Sequence, residues 1–564
     1  MAFASASLRR YPLKKGLGTG MNTTPQKPNP ALLLCFLLSV VVVLGGLAFA
    51  KDGLFIAKHE GDTLHMMQIV FRMADGQWPH LDFMTPIGTL AFAPIAAFVK
   101  LGFGIGHAVI YAQIVMALVL LPFVWWVSIS RLSNGIAYLF CLFTMVLALA
   151  LIHGEAQQSL SVSMHYNRWA WAFAFVAISL SVIPPRYYRN ATVDGVVIGV
   201  ALAALAMIKV TYFAAFLGPV LLGLVLHGYF RSLFFALTTG IVVAAIITGF
   251  AGMDYWFAYL RDLLAVAQSE VRPQPGHSFQ AIIVAPAYLG GSILLIFSVV
   301  LLRQAKEQVG GLLLLLLAPG FIYVTYQNFG NDPQWLLLLA VLLFALRPAA
   351  DVVNGRGWNM RLMLNMAGAA AIAFSAPSFL NLTFSPFRHL AAANEDYAPL
   401  LPRSTQHADL LTAKFRAYRV DATIALNDPE TGLNTDADLT GRKDVVELLG
   451  ETLPECTLAM GIPAWINAIV EDLEQSGLAE GKRLFAADLI SSHWLYGDLL
   501  PLENGAPWYY GGLPGFESAD YLLVPLCPIS TEVRKQIIEI IADKTDATLN
   551  EIRRTPLYIL LEKI

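Results

Sequence analysis

TPIGTLAFAPIAAFV, residues 85–99, is an almost unbroken apolar stretch between two polar ones, and whether it crosses a membrane decides the direction of every element after it. The rest of the chain supplies the test. Apolar runs long enough for about 30 Å of hydrocarbon, roughly 17 to 25 residues each, recur from Ala31 onward. Eleven are expected to span: Ala31 to Ala50, His107 to Ser128, Ile136 to Ile152, Trp169 to Ile183, Val193 to Ile208, Tyr212 to Leu226, Leu233 to Phe250, Ile282 to Leu302, Val309 to Tyr326, Trp335 to Leu346 and Leu362 to Leu380. With a cytoplasmic N-terminus, the loops carrying Arg131, Arg186 and Arg189, Arg231, Arg303 and Lys306, and Arg347, Arg356 and Arg361 all fall on the cytoplasmic side. That agreement holds only if residues 85–99 do not cross, so they are read as a juxtamembrane or re-entrant helix.

The composition fits. Of 564 residues, 57% are hydrophobic and 14% charged, with most of the charge in the last third. This is the balance of a polytopic α-helical membrane protein with a water-exposed appendage. A formal net charge of −3 provides no basic field for nucleic acid, which is excluded as a partner class. The first run follows Arg9, Arg10, Lys14 and Lys15 and ends in a signal-peptidase-like AFA. Its length of about 20 residues exceeds the usual h-region, so it is read as a retained anchor.

Three regions follow: a basic cytoplasmic segment (1–30), a transmembrane domain (31–380) with a first outer loop at 51–106, and an extracytoplasmic α/β domain (381–564). In the last region, β-type runs at Arg483 to Ile490, Asp520 to Leu526 and Leu557 to Lys563 alternate with helical spacing at Ile462 to Ser476 and Ser530 to Lys544. Between two of these strands lies WLYGDLLPLENGAPWYYGGLPGF, a loop with the residue types of a sugar-stacking platform or of a self-packed loop. Cys456 and Cys527 lie where a disulfide is chemically permitted, and their pairing cannot be read from spacing. No C-x-x-C pair or D-x-D pair in the outer loops points to a metal, and no cofactor is expected.

The first outer loop holds the acids. HEGDTLHMMQ starts nine residues after the first span, so Glu60 and Asp62 are held near the outer headgroup level, within reach of both lipid phosphate and a water-borne hydroxyl. Asp62 begins a helical pattern, and a helix N-terminus orients a carboxylate and stabilises its charge. From Asp62, DTLHMMQIVFRMADGQWPHLDFMTPIGTLAF runs through an amphipathic helix to Gly76, then Pro79, Asp82 and Pro86 before the apolar stretch.

That arrangement resembles the first external loop of GT-C-type membrane glycosyltransferases, the superfamily of protein O-mannosyltransferases and lipid A aminoarabinose transferases. The resemblance covers about thirty residues in detail, and this chain separates its two acids by Gly61 where some families have an adjacent Asp-Glu pair. It implies transfer of a sugar from a polyprenyl-phosphate-linked donor to a glycan, lipid or protein acceptor on the outer face of the cell (inner) membrane. Asp62 or Glu60 would be the general base, Asp62 being favoured. The leaving phosphate then needs cations. Arg168 in SMHYNRWAW, Lys209 in MIKVTYF, and His59 are the candidates for that end of the site. Asp82, the His165 and Asn167 that lie beside Arg168, and the turn YQNFGNDPQW, with Asn328, Asn331 and Asp332, are expected to line the substrate cavity. A multi-span transporter, or a lipid-linked glycan polymerase or ligase, is the alternative. The first lacks visible repeats here, and the second carries its largest loop late in the chain.

Overall fold

The computed structural model describes residues 26–154, 157–271, 280, 284–327, 332–424, 446–544 and 548–564. Each of the eleven apolar runs coincides with a helix. These are α1 (Pro30–Phe49), α4 (Ile105–Arg131), α5 (Asn134–Leu149), α6 (His165–Val182), α7 (Ala191–Ile208), α8 (Val210–Leu226), α9 (Phe230–Ala251), α11 (Pro286–Gln304), α12 (Gln308–Gln327), α13 (Trp335–Ala345) and α14 (Met360–Leu390). Among the described residues, seven helices are long and apolar enough to cross a membrane, namely α1, α4, α7, α9, α11, α12 and α14. The remaining four are shorter or less apolar, so the number of crossings is not fixed by helix length.

Residues 85–99 do not form a spanning helix. They contain a short 3₁₀ turn, Thr89–Ala91, and then α3 (Ala93–Lys100), only eight residues long. At 1.5 Å per residue α3 covers about 12 Å, well short of the hydrocarbon thickness.

Helix starts follow local chemistry. Asn29 accepts from the amides of Ala31 and Leu32 ahead of Pro30, and Asn190 does the same for Thr192 and Val193 at the start of α7. On α1, Leu33, Leu37, Val41 and Leu44 face the bundle, whereas Leu32, Val42 and Phe49 are exposed apolar residues suited to lipid. On α9 the exposed face is nearly continuous, with Phe234, Ile241, Ile246 and Phe250.

Buried arginines satisfy helix ends inside the bundle. Arg131, at the end of α4, donates to the carbonyls of Ile183 and Leu180 at the α6 terminus and is neutralised by Asp194 of α7 at 2.8 Å. Such a pair is costly to break from one side, about 3–5 kcal/mol.

The outer loop and the C-terminal region form one structure. β1 (Leu54–Ile56) pairs in parallel with β3 (Leu410–Ala413), which pairs antiparallel with β2 (Tyr397–Pro399). Asp409 accepts from both the backbone N–H and the Nδ1 of His107 at the start of α4, placing negative charge at a helix N-terminus. The boundary expected at 381 therefore falls inside α14, which continues to Leu390.

Further on, a four-stranded sheet has the order β10 (Leu549–Arg554), β11 (Tyr558–Lys563), β9 (Tyr521–Pro525), β8 (Leu484–Ala486). It packs with α16 (Ile462–Gln475) and α17 (Thr531–Lys544), all close to the expected segments. Cys456 and Cys527 form a disulfide.

The aromatic loop is packed rather than displayed. Gln68 of α2 (Glu60–Ala74) donates to Ser492 Oγ and the Pro507 carbonyl and accepts from Trp494 Nε1, while Tyr496 and Tyr510 are buried. The loop thus clamps α2 to the C-terminal domain.

Candidate active site at the start of helix six

Most of the expected site residues converge on the described part of the connection between α5 and α6 (150–154 and 157–164) and on the first turn of α6. Asp62 lies in the first turn of α2, two residues inside its start, and the N-cap position is His59 in a left-handed conformation with φ 63°. The half-buried Asp62 carboxylate accepts from Ser163 Oγ at 2.7 Å. Ser161 Oγ accepts from the Ser163 amide and lies 3.0 Å from His59 Nδ1. The ring of His59 packs against that of His153, with centroids 4.9 Å apart.

Both imidazoles are uncharged at neutral pH. Burial, with the nearby Lys58 and Arg416 charges, pushes His59 down to about 4. Burial, with His59 and the Arg168, Lys58 and Lys209 charges, pushes His153 down to about 3. His59 is therefore a neutral hydrogen-bonding group rather than a charge.

Glu60 is differently employed. It is 1% exposed, and its two oxygens accept from Arg416 Nη2 at 2.7 Å and Nε at 3.1 Å. Arg416 sits on α15 (Lys414–Tyr418), directly after β3, so the pair fastens the start of α2 to the C-terminal region. The bidentate fork occupies the carboxylate face.

Arg168 is fully buried and turned to the end of α5, where its guanidinium donates to the Ala150 carbonyl at 2.8 Å and to the Ile152 carbonyl. It places a positive charge on the negative end of that helix. It is absent from the lining of the cavity described next. His165 bonds the Ala91 carbonyl at 2.9 Å, fixing α6 to the juxtamembrane loop.

Lys209 is the only residue between α7 and α8, in an extended conformation (φ −155°, ψ 107°). Its ammonium donates to Asn167 Oδ1 at 3.0 Å and lies over the Tyr166 ring. It lines a cavity of about 270 Å³ together with Pro86, Tyr166, Thr211, Tyr323 and Gln327. Asn167 is 2% exposed, and its Nδ2 has no partner among the described residues. Ser163 and Asn167 are four residues apart, so the partners of Asp62 and Lys209 belong to one short segment at the α6 N-terminus.

Two apolar grooves adjoin. One of about 400 Å³ runs between α7, α8 and α9, lined by Leu202, Met207, Phe213, Leu217 and Ile241 among others. Another of about 330 Å³ lies on the side of Trp78, Leu90 and Phe250. Met207 borders both, two residues before Lys209.

Asp82 stands apart: it is exposed and accepts from the Trp78 amide at 2.6 Å, as a turn residue. The Asp332 amide donates to the Gly154 carbonyl, which brings the α12–α13 turn beside the α5–α6 connection. Asn328 and Asn331 lie outside the described residues.

Ser161, Ser163, His153, Tyr166 and Gln327 were not among the expected site residues. Ser163 and Tyr166 stand within SMHYNRWAW, but neither a hydroxyl nor a phenol in a connecting loop is distinctive without its spatial partner.

No family model matches the chain, and no curated protein matches it. Among solved structures, the chain is similar to ArnT from Cupriavidus metallidurans. The structure of that protein bound to undecaprenyl phosphate is 11% identical with a TM-score of 0.42, and its apo structure is 12% identical with a TM-score of 0.38. Each comparison covers 94% of this chain and 97% of the other.

Proposed function

We propose that this protein is a membrane glycosyltransferase that moves a sugar from a polyprenyl-phosphate-linked donor to an acceptor hydroxyl at the outer face of the membrane. The observation that carries the reading is the position of Lys209. Lys209 lines a cavity that also holds Tyr166, Thr211, Tyr323 and Gln327, and it stands two residues beyond Met207, where two apolar grooves meet. An anionic headgroup attached to a hydrocarbon chain matches that juxtaposition of cation and apolar surface.

Asp62 is the base. Its carboxylate is partly accessible and oriented by Ser163, whereas Glu60 is closed off by Arg416. In the reaction, the acceptor oxygen forms a bond to the anomeric carbon as the bond from that carbon to the phosphate oxygen breaks. The hydroxyl proton passes to Asp62, and polyprenyl phosphate departs with its added negative charge facing Lys209. Tyr166 and Gln327 line the same cavity and are placed to contact the phosphate or sugar.

Binding of undecaprenyl phosphate to the purified protein, followed by native mass spectrometry, tests the phosphate site. Lys209→Ala is expected to weaken it about tenfold or more, the range for a charge-assisted contact. Equal binding by both proteins would remove Lys209 from the reading.

A further inference from the structure

The α7–α8 junction is an interruption of helix at the level of the bundle, and interruptions there are tolerated only where the released carbonyls find donors. Two donors from outside either helix do this. Tyr259 of α10 (Asp254–Ala267) donates its hydroxyl to the Ala206 carbonyl at 2.9 Å. The Gly88 amide donates to the Ile208 carbonyl at 3.1 Å.

Gly88 is required for its size. Its φ of −66° suits any residue, but an added Cβ would lie 2.1 Å from the Met207 carbonyl oxygen. The juxtamembrane loop thus rests directly on the backbone of the last α7 turn.

Both donors are themselves held. The Tyr259 ring stacks on His80, with centroids 4.3 Å apart. His80 Nδ1 is 3.0 Å from Asp262 Oδ2, and the same oxygen accepts from the Thr85 amide. Asp262 and His80 are both 1% exposed. The short segment from Thr85 to Gly88 is therefore anchored at one end by α10 and laid at the other on the α7 terminus, which α10 also grips through Tyr259.

We propose that Gly88 and Tyr259 are positioning residues for Lys209, fixing the one-residue α7–α8 junction so that the ammonium points into the cavity. The inference rests on the reading of Lys209 as the phosphate ligand, but the geometry it asserts is measurable without a lipid.

The test has two arms on the full-length protein in lipid nanodiscs. In the first, undecaprenyl phosphate affinity is measured for Tyr259→Phe, Lys209→Ala and the double variant. Tyr259→Phe keeps the ring on His80 and removes only the hydroxyl. It is expected to weaken binding about 3- to 10-fold, the scale of one hydrogen bond, with no further loss in the double variant beyond Lys209→Ala alone. Where Lys209→Ala itself weakens binding, fully additive losses, or no effect of Tyr259→Phe, would overturn the proposal.

In the second arm, Lys209→Cys is made in a background lacking Cys35 and Cys141, and its labelling rate by a charged methanethiosulfonate reagent is compared with and without Tyr259→Phe or Gly88→Ala. A change of about threefold or more in either background is expected from a reoriented junction. Unchanged rates in both would refute the positioning role. If Lys209→Ala leaves lipid binding intact while the labelling rates change, the positioning stands and the phosphate reading fails.

Discussion

Arg416 closes Nη2 and Nε on the two oxygens of Glu60, at 2.7 and 3.1 Å, across 356 positions of sequence. One of the two acids in HEGDTLHMMQ is thereby committed to holding the outer loop against the C-terminal region. The other, Asp62, is half-buried and accepts from the Ser163 hydroxyl at 2.7 Å.

The two acids are therefore expected to fail differently. Glu60→Gln should lower thermal stability, by about 1–3 kcal/mol once the partial exposure of Arg416 is allowed for, with turnover of the surviving protein little changed. Asp62→Asn should lose about 10²- to 10⁴-fold in transfer with a melting temperature near that of the parent. Thermal unfolding in detergent beside a transfer assay separates them. Exchanged phenotypes would make Glu60 the base.

Arg168→Lys is expected to act on the fold. A lysine cannot reach the Ala150 and Ile152 carbonyls together in the planar arrangement of a guanidinium. The variant should melt earlier, while the KM for donor stays near the parent value. A raised donor KM at unchanged melting temperature would instead make Arg168 a phosphate ligand.

The histidine pair makes stability depend on pH. Folded His59 and His153 resist protonation until about pH 4 and about pH 3, whereas an unfolded histidine takes up its proton near 6.5. The unfolded chain therefore binds more protons in that interval, and stability present above pH 6.5 is lost as the pH falls toward 4. His153→Phe removes an imidazole whose nitrogens have no hydrogen-bond partner among the described residues, so it should leave the melting temperature at pH 7.5 unchanged or raised and flatten its decline on acidification. Parallel declines in parent and variant would contradict the assignment.

Topology is testable at two exposed positions. With Cys35 and Cys141 replaced and the disulfide retained, Arg189→Cys between α6 and α7 should react with an impermeant thiol reagent only after lysis. Glu517→Cys in the C-terminal domain should react in intact cells whose outer barrier is permeabilised. Ser133 is unsuitable as a cytoplasmic probe because it is buried. Labelling of both cysteines from one side would separate the C-terminal domain from the compartment assumed for it.

What was legible in the sequence is what local periodicity and composition control. The apolar runs became helices, and the brevity of the element within residues 85–99 followed from charge distribution alone. The strands at Leu484, Tyr521 and Tyr558 and the helices at Ile462 and Thr531 were marked by their own spacing. What could not be read depends on partners distant in sequence. Nothing near Glu60 announces Arg416, and nothing near Leu54 announces its pairing with Leu410. Arg168 has the look of a site residue because a buried arginine needs a partner, but its partners are backbone carbonyls, which have no sequence signature. The Trp- and Tyr-rich loop is likewise ambiguous until Gln68 is placed against it. Gly88 lies in the stretch that decided the topology, and only its contact with Met207 explains its size.

The central claim is that a lipid-linked sugar is consumed at Asp62 and Lys209. Mass spectrometry of polyprenyl-linked sugars and cell-surface glycans, in cells lacking the gene and complemented with the parent chain, Asp62→Asn or Lys209→Ala, addresses it most directly. A sugar-bearing polyprenyl phosphate should accumulate, and one surface glycan modification disappear, in the deletion and in both variants, with the parent chain restoring each. Restoration by Asp62→Asn and Lys209→Ala as complete as by the parent, or identical lipid and glycan profiles with and without the gene, would contradict it.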